Sequence, residues 1–147
     1  MKINVGSLET LPIWDSPNTS FIVSSNVRVK RKNVYQIPSD YIETQNYIAA
    51  SDLVISKAGW GMIGEALSSN TPLLILNRPS MKEDQNTISY LKEHSLGKTI
   101  NWEEFKLFQV SSTFINELLD SKDVRNTHNR NEASRVARDI IKILNRG

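Results

Sequence analysis

Two short, wholly apolar runs limit how this chain can fold. Leu53-Val54-Ile55 and Leu73-Leu74-Ile75-Leu76 lack the alternation of a strand with one wet side, and read as strands covered on both faces. Between them, from about Trp60 to Ser69, lies a stretch with helical character that gives way to Pro72. Strand, helix and buried strand in this order need a crossover connection and therefore a parallel pair.

The alternation extends in both directions. Lys2 to Val5, ending at Gly6, Phe21 to Ser24, and Val34 to Ile37 before Pro38 read as strands, with a segment between the first two that Pro12 and Pro17 interrupt. Asp40 and Glu43 have capping-box spacing for a helix through about Ala50. Ser80 and Glu83 repeat that spacing before a helix to about His94 that buries Ile88 and Leu91, with Gly97 as its stop. Ile100 ends a last short strand, Asn101 with Glu104 starts another helix, and amphipathic pieces follow around Phe114 to Leu119.

In the final helix Ala133, Val136, Ala137, Ile140 and Leu144 form one apolar stripe, with Arg135, Arg138, Lys142 and Arg146 outside it. That stripe is expected to pack on the sheet or on a neighbouring domain. The fold class is therefore α/β, a Rossmann-like parallel sheet with helices on both faces. One domain over 1–147 is expected, with the weakest pattern in residues 1–33.

Composition narrows the function classes. With 39% hydrophobic and 23% charged residues in 147, the chain can build a core and is not of the disordered type. It has no cysteine, so disulfides and thiolate metal sites are excluded. No stretch approaches the roughly 20 apolar residues of a membrane span, and the opening MKINVGSLET lacks the apolar core of a signal peptide. A cytoplasmic location is expected. The basic run RVKRK at 28–32 and the basic last helix suit peripheral association with the inner face of a membrane, although a solvated surface explains them as simply. Nucleic-acid binding would need more positive charge and interleaved aromatics, and is not expected.

Ligands of open α/β sheets sit at the C-terminal ends of strands. That rule puts the Ser56 to Gly61 loop and the Asn77 to Asn86 loop on one rim. Gly59 and Gly61 are expected to let the backbone turn sharply and approach a ligand closely. A helix opening there points free N–H groups and its positive dipole end outward, which suits a phosphate. Glu65, one turn further in, is placed to hold sugar hydroxyls. Lys57 could attract phosphates or be a solvated lysine, and the whole run also reads as an ordinary strand-to-helix connection.

Taken together, SKAGWGMIGEAL at 56–67 and PLLILNRPSMKEDQN at 72–86 resemble the C-terminal, donor-binding lobe of GT-B glycosyltransferases of family 28, which includes the N-acetylglucosaminyltransferase that forms lipid II. The resemblance runs from about Val34 to Gly97, more weakly into the last helix. It implies that the first segment, with Ser56, Lys57, Gly59, Trp60 and Gly61, cradles the diphosphate of a UDP-sugar, and that Glu65 binds the ribose. Asp84, Gln85 and Asn86 match the motif that contacts the donor sugar, and the Ile37 backbone matches the position beside the uracil. Ile37 also reads as a buried strand residue, and Asp84 and Gln85 as ordinary helix N-terminal polarity.

Three departures stand out. Met62 replaces a frequent threonine of the loop, Trp60 replaces a glycine, and the opening has only Gly6-Ser7 before a Pro-containing stretch. Trp60 either stacks on a sugar or packs against the sheet edge.

The resemblance implies a metal-independent transfer with no cofactor, in keeping with the lack of an Asp-x-Asp pair. It also implies a separate acceptor-binding lobe or subunit. No catalytic residue is assigned, and His94 and His128 are expected to be surface residues. The expected function is the donor-binding part of a hexosyltransferase using a UDP-sugar, UDP-N-acetylglucosamine first, in cell-envelope polysaccharide synthesis, and inactive alone. A non-catalytic nucleotide-sugar-binding or interaction module, and a UDP-sugar epimerase or hydrolase-like protein, are the alternatives.

Overall fold

The computed structural model describes residues 8–122 and 133–145. The expected strand Lys2 to Val5, Gly6-Ser7, His128 and Arg146 lie outside the described residues.

Among the described residues, five short strands, all paired in parallel, make two sheets. β1 (Phe21–Val23) pairs with β2 (Val34–Gln36), Phe21 opposite Val34. β3 (Val54–Lys57), β4 (Leu73–Leu76) and β5 (Lys98–Ile100) form the second sheet in that order. The helices are α1 (Gln45–Ala49), α2 (Trp60–Ser68), α3 (Lys82–Glu93), α4 (Trp102–Phe105), α5 (Ser112–Lys122) and α6 (Ala133–Leu144). The parallel α/β architecture expected from the apolar runs is present, divided into a pair and a triplet among the described residues.

Side-chain alternation along the strands builds two apolar layers. On one side Val54, Leu73 and Ile75 pack with Ile48 of α1, Ile63 and Ala66 of α2, and Ile88 and Leu91 of α3. On the other, Leu53 and Ile55 join Phe21, Val23 and Val34 over Leu11, Ile13, Trp14 and Val110. This second layer takes residues from both sheets, so a common core lies beneath them although no ladder joins them among the described residues. The Pro-interrupted stretch thereby has a role the sequence does not disclose: Pro12–Asp15 forms a 3-10 turn that buries Ile13 and Trp14. Trp14 donates Nε1–H to the Leu8 carbonyl and meets Phe21 edge-on at 5.0 Å. Ser16 Oγ accepts from the Val110 N–H at 2.8 Å, tying this turn to the segment before α5.

Helix ends differ from expectation where tertiary contacts dominate. Asn101 and Glu104 do form a capping box at α4. The boxes expected at Asp40/Glu43 and Ser80/Glu83 do not form: α1 starts only after Thr44 and α3 after Met81, neither with a side-chain cap. α2 and α3 close on left-handed residues, Asn70 (φ 59°) and Ser95 (φ 53°). In each the following N–H reaches back a full turn, Thr71 to the Ala66 carbonyl and Leu96 to that of Leu91, which satisfies the terminal carbonyls. The stop is therefore Ser95. Gly97 serves packing instead, since a Cβ there would lie 3.0 Å from both the Cβ and the carbonyl oxygen of Leu73.

Of the two partners expected for the α6 stripe, the sheet is not the one that covers it. The helix has no buried residue; Val136, Ile140, Ile141, Ile143 and Leu144 are all exposed rather than packed on the sheet.

Gly97→Ala is expected to destabilise the fold by about 1–3 kcal/mol through overpacking against β4. Gly64→Ala, in the middle of α2 where a Cβ meets nothing within 4 Å, is expected to stabilise it by about 0.5–1 kcal/mol. Urea unfolding of the two variants beside wild type measures both signs.

Candidate nucleotide-sugar site

β3 and β4 end side by side, with Lys57 opposite Leu76, so the segments that leave them start on one edge of the sheet. Parallel neighbours are about 4.8 Å apart, and the two loops expected on one rim are indeed brought together.

The β3 side offers backbone donors. Gly59 is the N-cap of α2 in extended conformation, with no side-chain cap, and the first intrahelical bond runs from Ile63 N–H to its carbonyl. The N–H groups of Trp60, Gly61 and Met62 therefore have no acceptor among the described residues. These orphan donors, at the positive end of the helix dipole, fit an anion. The glycines act differently from expectation. No glycine among the described residues has a positive φ, so neither Gly59 nor Gly61 supplies a turn other residues could not make. What Gly61 supplies is room, since a Cβ there meets nothing within 4 Å. At Gly59 a Cβ would touch only the Lys57 stem, 3.9 Å away, which places that exposed side chain alongside the loop. Ser56 is turned inward on itself, its hydroxyl donating to the Lys57 carbonyl at 2.9 Å.

Glu65 lies four residues after Gly61, hence on the same face of α2. It is exposed, and its carboxylate has no partner among the described residues. Trp60 lies at the surface of the helix layer. It is 55% exposed and meets Tyr90 of α3 edge-on at 5.6 Å, and Tyr90 in turn stacks on the His94 ring at 4.2 Å. His94 is thus a surface residue at the end of an aromatic row, its Nδ1 2.9 Å from the Tyr90 carbonyl.

The β4 side is braced by side chains. Asp84 is 4% exposed, and both its oxygens are taken by Arg78, Nε to Oδ2 at 2.6 Å and Nη2 to Oδ1 at 2.9 Å. Hydrogen bonding to Asp84 raises the Arg78 guanidinium above its ordinary pKa; burial opposes this and the charge attraction to Asp84 adds to it. Gln85 donates Nε2–H to Asn77 Oδ1 at 2.9 Å and to the Arg78 carbonyl at 3.2 Å. Its own Oε1 stays open, and Asn86 is exposed beside it. Of the three residues of this motif, Gln85 and Asn86 retain groups for a ligand while Asp84 is committed to Arg78. Arg78 and Asn77 were not legible in the sequence, since no spacing rule marks a bridge from a loop to the first turn of the next helix.

Ile37 is half-buried at the end of β2, and its N–H donates to the Val23 carbonyl at 2.9 Å. For a base edge it would offer its carbonyl. Beside it a shallow, mostly apolar groove of about 360 Å³ is lined by Ile22, Tyr35, Ile37 and Tyr47, with Ser20 and Gln36.

Over residues 22–144 the sequence matches the family described as the glycosyltransferase family 28 C-terminal domain. The chain belongs to this family. No curated protein matches it. Among solved structures, the glycosyltransferase SnogD from Streptomyces nogalater is similar at a TM-score of 0.53 and 14% identity, over 81% of this chain and 34% of that one. This family 28 domain thus has the fold of a GT-B C-terminal lobe and spans about a third of SnogD. No helix among the described residues is long and apolar enough to cross a membrane.

Arg78→Ala leaves the buried Asp84 carboxylate without its counter-ion. We expect a loss of about 2 kcal/mol, short of the roughly 3–5 kcal/mol of a fully buried pair because Arg78 keeps contact with water. In Arg78→Ala/Asp84→Ala no charge is stranded, and the double variant is expected to unfold at a higher urea concentration than the single one.

Proposed function

We propose that the domain is the donor-binding lobe of a hexosyltransferase, holding a UDP-sugar at the joint edge of β3 and β4 and acting with a separate acceptor-binding lobe or subunit. The observation that carries this reading is the uncapped N-terminus of α2, whose three free N–H groups open on the rim that Gln85 and Asn86 share.

The parts divide the donor among them. The diphosphate sits on the N–H groups of Trp60, Gly61 and Met62, with Ser56, Lys57 and Gly59 shaping the approach. These donors stabilise the charge that grows on UDP as the glycosidic bond breaks, and backbone groups can do so without a metal. Glu65 accepts from the ribose hydroxyls, Gln85 and Asn86 contact the sugar, and the Ile37 carbonyl reads the uracil edge. Asp84 works at one remove by holding Arg78 and the loop. UDP-N-acetylglucosamine is the donor the family resemblance favours, and a cytoplasmic role in cell-envelope polysaccharide synthesis at the membrane's inner face follows from it. The acceptor lobe presents the hydroxyl of the bound acceptor to the anomeric carbon and supplies the base that takes its proton as UDP leaves, the reacting groups being aligned by closure of the two lobes. Trp60 and Met62, exposed at the rim, favour a second reading, in which the cleft binds a protein without catalysis.

Calorimetric titration of UDP and UDP-N-acetylglucosamine separates the two readings. Wild type is expected to bind both, and Glu65→Gln to lose about tenfold, the scale of one hydrogen bond to a charged group. Gly61→Ala is expected to weaken UDP binding while leaving the fold at least as stable, because the new methyl fills space kept for the ligand. No saturable binding of UDP by wild type would contradict the proposal.

A further inference from the structure

We propose that Arg78 is an anion-reading residue of the donor site, its guanidinium aimed by Asp84 so that Nη1 meets an anionic oxygen of the bound nucleotide sugar. This rests on the donor-binding reading above and adds a residue that the family resemblance does not supply.

The guanidinium has one committed edge and one open edge. Nε and Nη2 grip the two oxygens of the buried Asp84, which fixes the plane and direction of the fork. Nη1 has no hydrogen bond or ion pair among the described residues, and the side chain is 36% exposed. The backbone beneath is also fixed, with the Arg78 carbonyl accepting from Gln85 and, at 3.0 Å, from the Met81 N–H. An arginine held on one edge loses little further freedom when the other binds, so its free donors are set in advance for a ligand.

Position supports the same assignment. Arg78 stands two residues beyond the end of β4, as Gly59 stands two beyond the end of β3, and the two strand ends are in register. The open donors therefore belong to the rim on which α2 presents its free N–H groups. Asp84 offsets the charge of the pair, so the contribution is directional hydrogen bonding more than bare attraction. Two groups of a nucleotide sugar offer the required anionic oxygens: the diphosphate, and the carboxylate of a uronate donor.

Phenylglyoxal modification of the wild-type protein, read residue by residue by mass spectrometry, tests this without altering the fold. Arg31 is an internal control, with 37% side-chain exposure and a carboxylate partner, Asp15, at 3.0 Å. Saturating UDP is expected to slow modification of Arg78 and leave Arg31 unchanged, while uridine protects neither. Protection by UDP-glucuronate without protection by UDP assigns Nη1 to a sugar carboxylate. Unchanged Arg78 reactivity under saturation with UDP and with UDP-glucuronate overturns the proposal, whereas failure of UDP to bind at all overturns the donor-site reading and this inference with it. In Arg78→Gln/Asp84→Asn, which keeps a neutral pair and strands no charge, the ratio of UDP to uridine affinity is expected to fall about tenfold if the diphosphate is the partner. Equal losses for UDP and uridine, with no protection of Arg78 by either nucleotide in wild type, would make Arg78 a structural brace alone.

Discussion

Everything at the candidate site depends on the parallel pairing of β3 with β4. Val54 to Lys57 lie opposite Leu73 to Leu76, so two loops separated by a helix in sequence leave the sheet from adjacent positions. The pairing is held from both sides. Leu73, Leu74 and Ile75 are almost entirely buried, the first and third under α1, α2 and α3 and the second on the opposite side. A polar residue at any of these places would sit in apolar surroundings with no partner, so the pattern that fixes the fold also fixes the rim.

The two halves of that rim are built by opposite means. On the β3 side the donors are backbone N–H groups left over at a helix start, and the side chains stay out of the way: no cap at Gly59, no Cβ at Gly61. On the β4 side the loop is a network of side chains, Arg78 on Asp84 and Gln85 on Asn77, that holds its shape before any ligand arrives. A site with donors already in place gives up less ordering entropy on binding. The domain that carries this rim covers about a third of the length of SnogD.

What the sequence reveals and what it hides divide along one line, local against tertiary. β3 and β4 were legible as short continuous apolar runs and α2 as the helical stretch between them, and Glu65 followed from simple helical spacing after Gly61. The Asn101–Glu104 box was legible because both its bonds close within four residues. At Ser80/Glu83 the same spacing misleads: the Arg78–Asp84 grip and the bond from Met81 N–H to the Arg78 carbonyl set the entry to α3, and the cap position shifts to Met81. Near Asp40, a turn from Tyr41 to Pro38 and the Tyr41–Tyr47 ring contact occupy the first part of the expected helix, which delays α1 to Gln45. Trp14 and Ile13 were hidden for a related reason, since a Pro-flanked 3-10 turn has no periodicity to betray its burial. The stripe of α6 was legible, and of the two partners expected for it, the sheet or a neighbouring domain, the sheet does not cover it, because amphipathicity fixes that a face is apolar and not what covers it.

In the proposed function, one edge of the β3–β4 pair holds the nucleotide. Titrating UDP into isotopically labelled protein and following each backbone amide by nuclear magnetic resonance tests it most directly. The largest shifts are expected on the Trp60, Gly61 and Met62 amides, with smaller ones at Arg78 and Gln85 and none in α5. Shifts of equal size across the molecule, or confined to residues away from that edge, would contradict it.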